Sequence, residues 1–177
     1  MKKSNRELIA ELLDVSEMRG QTIPDLLDSI PGEKAMLVKE IAVRYGDKPI
    51  LGKSYVKPEQ VYDHFRIRLG TAKQEEFHVL YLDNRHRVIH ESMITLGTLN
   101  KSLIHPREVF APAIEIRAAA IILIHSHPSG DVQPSNQDIE ITKRLCQVGE
   151  LMGIKLLDHV IIGDDYFSFA TEEMMPV

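Results

Sequence analysis

The residues best equipped to do chemistry in this chain are His125, His127, Ser135 and Asp138. The histidines follow an apolar run, Ala118-Ala119-Ala120-Ile121-Ile122-Leu123-Ile124, which reads as a buried strand over 118–124. Histidines two positions apart at a strand end project to one face, because strand side chains repeat every second residue. Pro128-Ser129-Gly130 then turns the chain. Gln133-Pro134 delivers it to a helix whose first turn carries Ser135 and, eleven positions after His127, Asp138. Two imidazole nitrogens, one carboxylate oxygen and a fourth position for water make the ligand set of a catalytic zinc site. The same placement offers a Lewis acid, a water of lowered pKa and a hydroxyl near a substrate carbonyl, which is what hydrolysis requires.

Taken singly, each residue has a plainer reading. Histidines near strand ends often bond loop carbonyls, Asp138 suits the first turn of any helix, and Ser135 suits an N-cap. Only the joint spacing points to a metal.

The elements that must position these residues are legible around them. Pro58 to Leu69 reads as an amphipathic helix with Val61, His64, Phe65 and Arg68 at helical spacing. Phe77 to Leu82 reads as a strand, Asp83-Asn84-Arg85-His86 as a turn, and Arg87 to Met93 as the hairpin partner, with Ile94 to Asn100 continuing the sheet. Pro106 opens a helix running to about Arg117, with Pro112 inside it as a disturbance. Ser135 to Met152 is the best-marked helix, with a capping-box pattern at Ser135 and Asp138, Ile141, Leu145, Val148 and Met152 on one face, and Gly153 as its stop. Ile154 to Gly163 reads as a further strand, and Tyr166 to Ala170 as its return. Helices and strands alternate without strict βαβ regularity, so the expected class is α/β or α+β, a mixed β-sheet flanked by helices. Residues 1–56 read as a separate helical segment and 57–177 as the main domain.

The chain has 177 residues with 44% apolar and 27% charged side chains, which excludes wholesale disorder. Its net charge of −5 argues against a strongly basic nucleic-acid-binding domain. One cysteine, Cys146, rules out a disulfide framework and a Cys-based zinc site. Without a signal-peptide core or an apolar run long enough to span a bilayer, a cytoplasmic protein with no membrane association is expected.

His-x-His, seven residues, then Ser-x-x-Asp resembles the motif of the JAB/MPN (JAMM) metalloproteases. The wider string, from Pro106-Arg107-Glu108-Val109 through His127-Pro128-Ser129-Gly130 to Leu157-Asp158-His159, resembles the bacterial RadC branch, historically called a DNA repair protein. The likeness covers roughly residues 74–171. It implies a cytidine-deaminase-like JAB/MPN fold, Zn²⁺ held by His125, His127 and Asp138, and Ser135 as the stabiliser of a developing oxyanion. It also implies a glutamate, just before an early strand, as general base. Glu75 and Glu76 both precede Phe77, and strand alternation favours Glu75 because it shares a face with Phe77 and Val79. Asp158 and His159 belong to the shared pattern without an assigned role. They could orient a ligand histidine from behind or make a structural hydrogen bond.

The expected function is therefore a zinc-dependent hydrolase of an amide or isopeptide bond, acting on a peptide or protein. A competing reading is a DNA-repair-associated accessory or interaction module with a structural or vestigial zinc site. Relatives of the RadC branch carry a helix-hairpin-helix region, and Ile30-Pro31-Gly32-Glu33-Lys34-Ala35 resembles one hairpin. Yet only Lys34 and Lys39 lie near its turn, offset by Glu33 and Glu40, and phosphate contacts need several cations. A metal-dependent nuclease would want more carboxylates than are present.

Overall fold

The computed structural model describes residues 51–176 apart from Val56, Gly70, Thr71, Lys73 and residues 97–103. The helical readings before residue 51, including the hairpin-like 30–35 stretch, lie outside the described residues. The elements run α1 (Pro58–Leu69), β1 (Glu76–Leu82), β2 (Val88–Leu96), α2 (Pro106–Glu115), β3 (Ala120–Ser126), α3 (Asn136–Met152), β4 (Lys155–Ile162) and β5 (Tyr166–Ser168). The strands form one five-stranded sheet in the order β2-β1-β3-β4-β5. β1 is antiparallel to β2 and to β3, β3 is parallel to β4, and β4 is antiparallel to β5. This mixed sheet with helices on both faces is the expected α/β class.

Alternation along the strands builds a core on each face. Leu80 and Leu82 of β1 and Ile122 and Ile124 of β3 pack with Val61, Phe65 and Leu69 of α1. Phe77, Val79 and Tyr81 of β1 and Ile121 and Leu123 of β3 pack on the other face with Val109, Phe110 and Ala113 of α2 and Leu145 of α3. The Tyr81 hydroxyl donates to the Val109 carbonyl at 3.1 Å and ties β1 to α2. β3 is buried at every position, as a central strand covered on both faces must be.

The two differences that bear on the site are the span of β3 and the face of α3 that is buried. β3 begins at Ala120 rather than Ala118, because Ala118 N–H closes on the Ala113 carbonyl at the end of α2 and Arg117 turns the chain at φ 55°. The strand instead continues through His125 and Ser126, paired with Ile161 and Ile162 of β4. His125 is thus locked inside the sheet. On α3 the fully buried positions are Asp138, Thr142, Leu145 and Gly149, while Ile141 and Val148 of the expected row pack half-buried against the core and Met152 does not. Met152 is 46% exposed. The helix is turned so that its polar first turns face the ends of β3 and β4, and Gly149 lets it approach the Ile154 carbonyl, where a Cβ would collide.

Candidate metal centre

His125 is delivered by the ladders on both sides of β3, facing Phe77 on β1 and Ile161 on β4. His127 lies just past the strand, and its backbone N–H still donates to the Ile162 carbonyl at 2.8 Å. The turn after it closes by Gly130 N–H to the His127 carbonyl at 3.0 Å. Its Nδ1 stands 2.7 Å from the Asp131 carbonyl. A carbonyl only accepts, so Nδ1 carries the proton and Nε2 is left as the ligand atom.

Asp138 comes from the first turn of α3. Ser135 is the N-cap, and the reciprocal capping box is formed in full. Ser135 N–H and Oγ–H both donate to Asp138 Oδ2, at 2.7 and 2.6 Å, while Asp138 N–H donates to Ser135 Oγ at 3.2 Å. The carboxylate is therefore aimed by its own helix cap. His125 Nδ1 is 2.9 Å from Asp138 Oδ1 and His127 Nε2 is 3.7 Å from Oδ2. Ligand atoms of the three residues lie within 4.8 Å of one another.

Asp138 is fully buried and His125 is 1% exposed. Burial works to raise the Asp138 pKa, but His125, His127 and Ser135 hold the carboxyl far below the usual carboxylate range. Burial works to lower His127, and Asp138, the Asp131 carbonyl and Glu75 outweigh it, so its pKa is raised. Both His125 nitrogens and Asp138 Oδ1 are nevertheless buried without a properly directed hydrogen bond. The 2.9 Å approach supplies distance without direction. Buried charged and polar groups left in that state are costly, and an ion bound among them removes the cost. The donor set therefore fits a metal.

Glu75 and Glu76 part company at the start of β1. Glu75 Oε2 is 4.0 Å from His125 Nε2, beside the metal-type group. Glu76 turns to the α1 face, where its Oε2 lies 2.7 Å from His78 Nε2. His78 Nδ1 in turn lies 3.3 Å from Glu91 Oε1, which Arg68 also engages. His78 is 4% exposed inside this ion network. Glu75 and His127 side chains are 32% and 12% exposed, so solvent meets the group from their side.

Asp158 and His159 also separate. Asp158 accepts from Ser168 Oγ at 2.7 Å and Ala170 N–H at 2.9 Å, securing β5 and the turn after it. Burial pushes its pKa up, against those hydrogen bonds. His159 is buried under the metal-type group, its ring stacked on Phe169 at 4.9 Å and facing the His125 ring at 6.2 Å. Burial, with the neighbouring His125, lowers its pKa to about 3. Its Nδ1 meets Thr142 Oγ1 at 2.7 Å, and that hydroxyl donates to the Asp138 carbonyl at 2.6 Å. Neither residue hydrogen-bonds a ring nitrogen of His125 or His127; His159 acts on α3 instead. Thr142 went unnoticed in the sequence, although it stands four positions after Asp138 on the same helix face.

The class defined by these features is an α/β domain whose central strand and third helix bring two histidines and an aspartate into metal-ligating proximity. Residues 55–174 match the family model described as the RadC-like JAB domain, and the chain belongs to that family. It is 40% identical over 170 residues to a UPF0758 protein of Geobacter sulfurreducens, covering 92% of this chain and 74% of the relative. It is 48% identical over 135 residues to one of Syntrophotalea carbinolica, covering 75% and 60%. It is 50% identical over 116 residues to one of Pelobacter propionicus, covering 65% and 51%. The chain thus spans half to three quarters of the length of these relatives. No helix among the described residues is long and apolar enough to cross a membrane.

Proposed function

We propose that this domain is a zinc-dependent hydrolase that cleaves an amide bond of a peptide or protein, in a cytoplasmic setting. The observation that carries the reading is the convergence of buried, undirected donor atoms on His125 and Asp138 beside the half-exposed Glu75. Two histidines and one carboxylate suit zinc, and a three-ligand set leaves a position for chemistry. Zinc held by His125, His127 and Asp138 would polarise the substrate carbonyl and lower the pKa of a water. Glu75 takes the proton of the attacking water at its carboxylate and returns it to the leaving amine. Ser135 orients Asp138 through Oγ–H. The same hydroxyl, turned outward, would donate to the developing oxyanion. His159, neutral and buried, keeps water from the back of the site.

The test is proteomic: zinc-loaded protein is mixed with a denatured peptide library, and new amino termini are read by mass spectrometry. Cleavage that disappears with a chelator and with Glu75→Gln supports the reading. Cleavage that persists in Glu75→Gln, or its absence from the zinc-loaded parent, overturns it.

A further inference from the structure

Glu75 sits one residue before β1 begins, so its position depends on how the strand's first peptide is held. The regular β1–β3 ladder ends at Phe77 and His125. One step beyond, the Glu76 N–H donates to Ser126 Oγ at 2.8 Å. A side chain thereby extends the β1–β3 contact by one step, while Glu76 stays paired with Leu96 on the β2 side. Ser126 is 1% exposed and lies between His125 and His127 in the chain. Strand alternation keeps its side chain off the face that the His125 ring occupies. The Glu76 carboxylate adds a second hold by reaching His78.

We propose that Ser126 is a positioning residue: its hydroxyl fixes the Glu75–Glu76 peptide so that the Glu75 carboxylate faces the His125, His127 and Asp138 group. The inference rests on the reading of Glu75 as general base. Removing the hydroxyl releases the β3 side of the start of β1, which then hangs on its β2 pairing alone, and leaves every metal-type ligand in place. The glutamate then points at the group for a smaller share of the time, which is the kind of loss that indirect partners of a metal site produce.

The experiment uses the full chain with Ser126→Ala, Ser126→Thr, Glu75→Gln and the Ser126→Ala/Glu75→Gln pair. Amide hydrogen exchange is read by NMR. Ser126→Ala should speed exchange of the Glu76 amide about tenfold or more while Val79 and Leu123 keep the parent's protection. Ser126→Thr, which retains the hydroxyl, should restore it. The chain loaded with cobalt(II) is then followed by its visible spectrum across pH. Glu75→Gln should move the midpoint, Ser126→Ala should move it in the same direction, and the pair should match Glu75→Gln alone, because the two residues act as one. Unchanged Glu76 exchange in Ser126→Ala overturns the proposal. So does a midpoint shift for Glu75→Gln with none for Ser126→Ala, or a pair whose shifts simply add. If Glu75→Gln moves nothing, the general-base reading falls and the positioning role with it, whereas the amide exchange still reports the Ser126 contact separately.

Discussion

Thr142 Oγ1 and His159 Nδ1 lie 2.7 Å apart, and the same hydroxyl donates to the Asp138 carbonyl at 2.6 Å. One hydroxyl has one proton to give, so His159 Nδ1 must be the donor and the ring the Nδ1–H tautomer. The contact joins α3 to β4 directly behind the carboxylate that faces the two histidines. Thr142→Val keeps the shape and removes both bonds. It should lower unfolding free energy by about 1–3 kcal/mol, since a buried imidazole N–H is left unpaired. It should also weaken metal retention about tenfold. Denaturant melts and competition with a chromophoric chelator measure the two effects, and Thr142→Ser should recover most of each.

Glycine at position 163 answers a close approach. A Cβ there would strike the Gly130 carbonyl, whose oxygen accepts from Asp164 N–H at 2.9 Å. That loop also carries the Asp131 carbonyl that accepts from His127 Nδ1–H. Gly163→Ala should therefore cost about 1–3 kcal/mol by overpacking and loosen His127 together with the loop. A thermal melt alongside metal content checks both; a variant that melts with the parent would show that the loop yields freely.

Acid stability should depend on the network under β1. Burial works to raise the Glu91 pKa, but His78 and Arg68 bring it down from 4.5 to about 2. A carboxyl whose folded pKa is depressed stabilises the fold above its unfolded pKa. That contribution is lost as pH falls from near 4.5 toward 2. Urea midpoints measured across this window should drop steeply for the parent and less steeply for Glu91→Gln. Equal slopes would remove Glu91 from the account.

The two glutamates before β1 should behave differently when neutralised. Glu75→Gln should retain metal and lower hydrolysis by about 10²–10⁴-fold. Glu76→Gln should disturb the pairing with His78 and reduce stability modestly, with hydrolysis falling far less. Equal losses of activity would contradict the division of labour between them.

What the sequence revealed was the metal-type group written in local spacing. His125 and His127 show through a period of two, Ser135 and Asp138 through a capping box that spans a single turn, and Gly153 through its left-handed stop at φ 69°. The class of sheet and the core of β1 and β3 followed from the same periodicities. What stayed hidden joins distant positions. Ser126 to Glu76, Thr142 to His159 and Gly163 to Gly130 depend on strand register and helix rotation, which no short window encodes. The shift of β3 by two residues has the same origin, since the end of α2 claims Ala118 through Ala113. The Asp131 carbonyl that fixes His127 is a backbone atom and leaves no trace in residue type.

The most direct test is the metal content of the purified, zinc-equilibrated chain and of His127→Ala, measured by elemental analysis after extensive dialysis. The parent chain should hold about one zinc, and the mutant should lose it while keeping the parent's circular dichroism. A parent chain that holds no more zinc than His127→Ala would contradict the zinc reading.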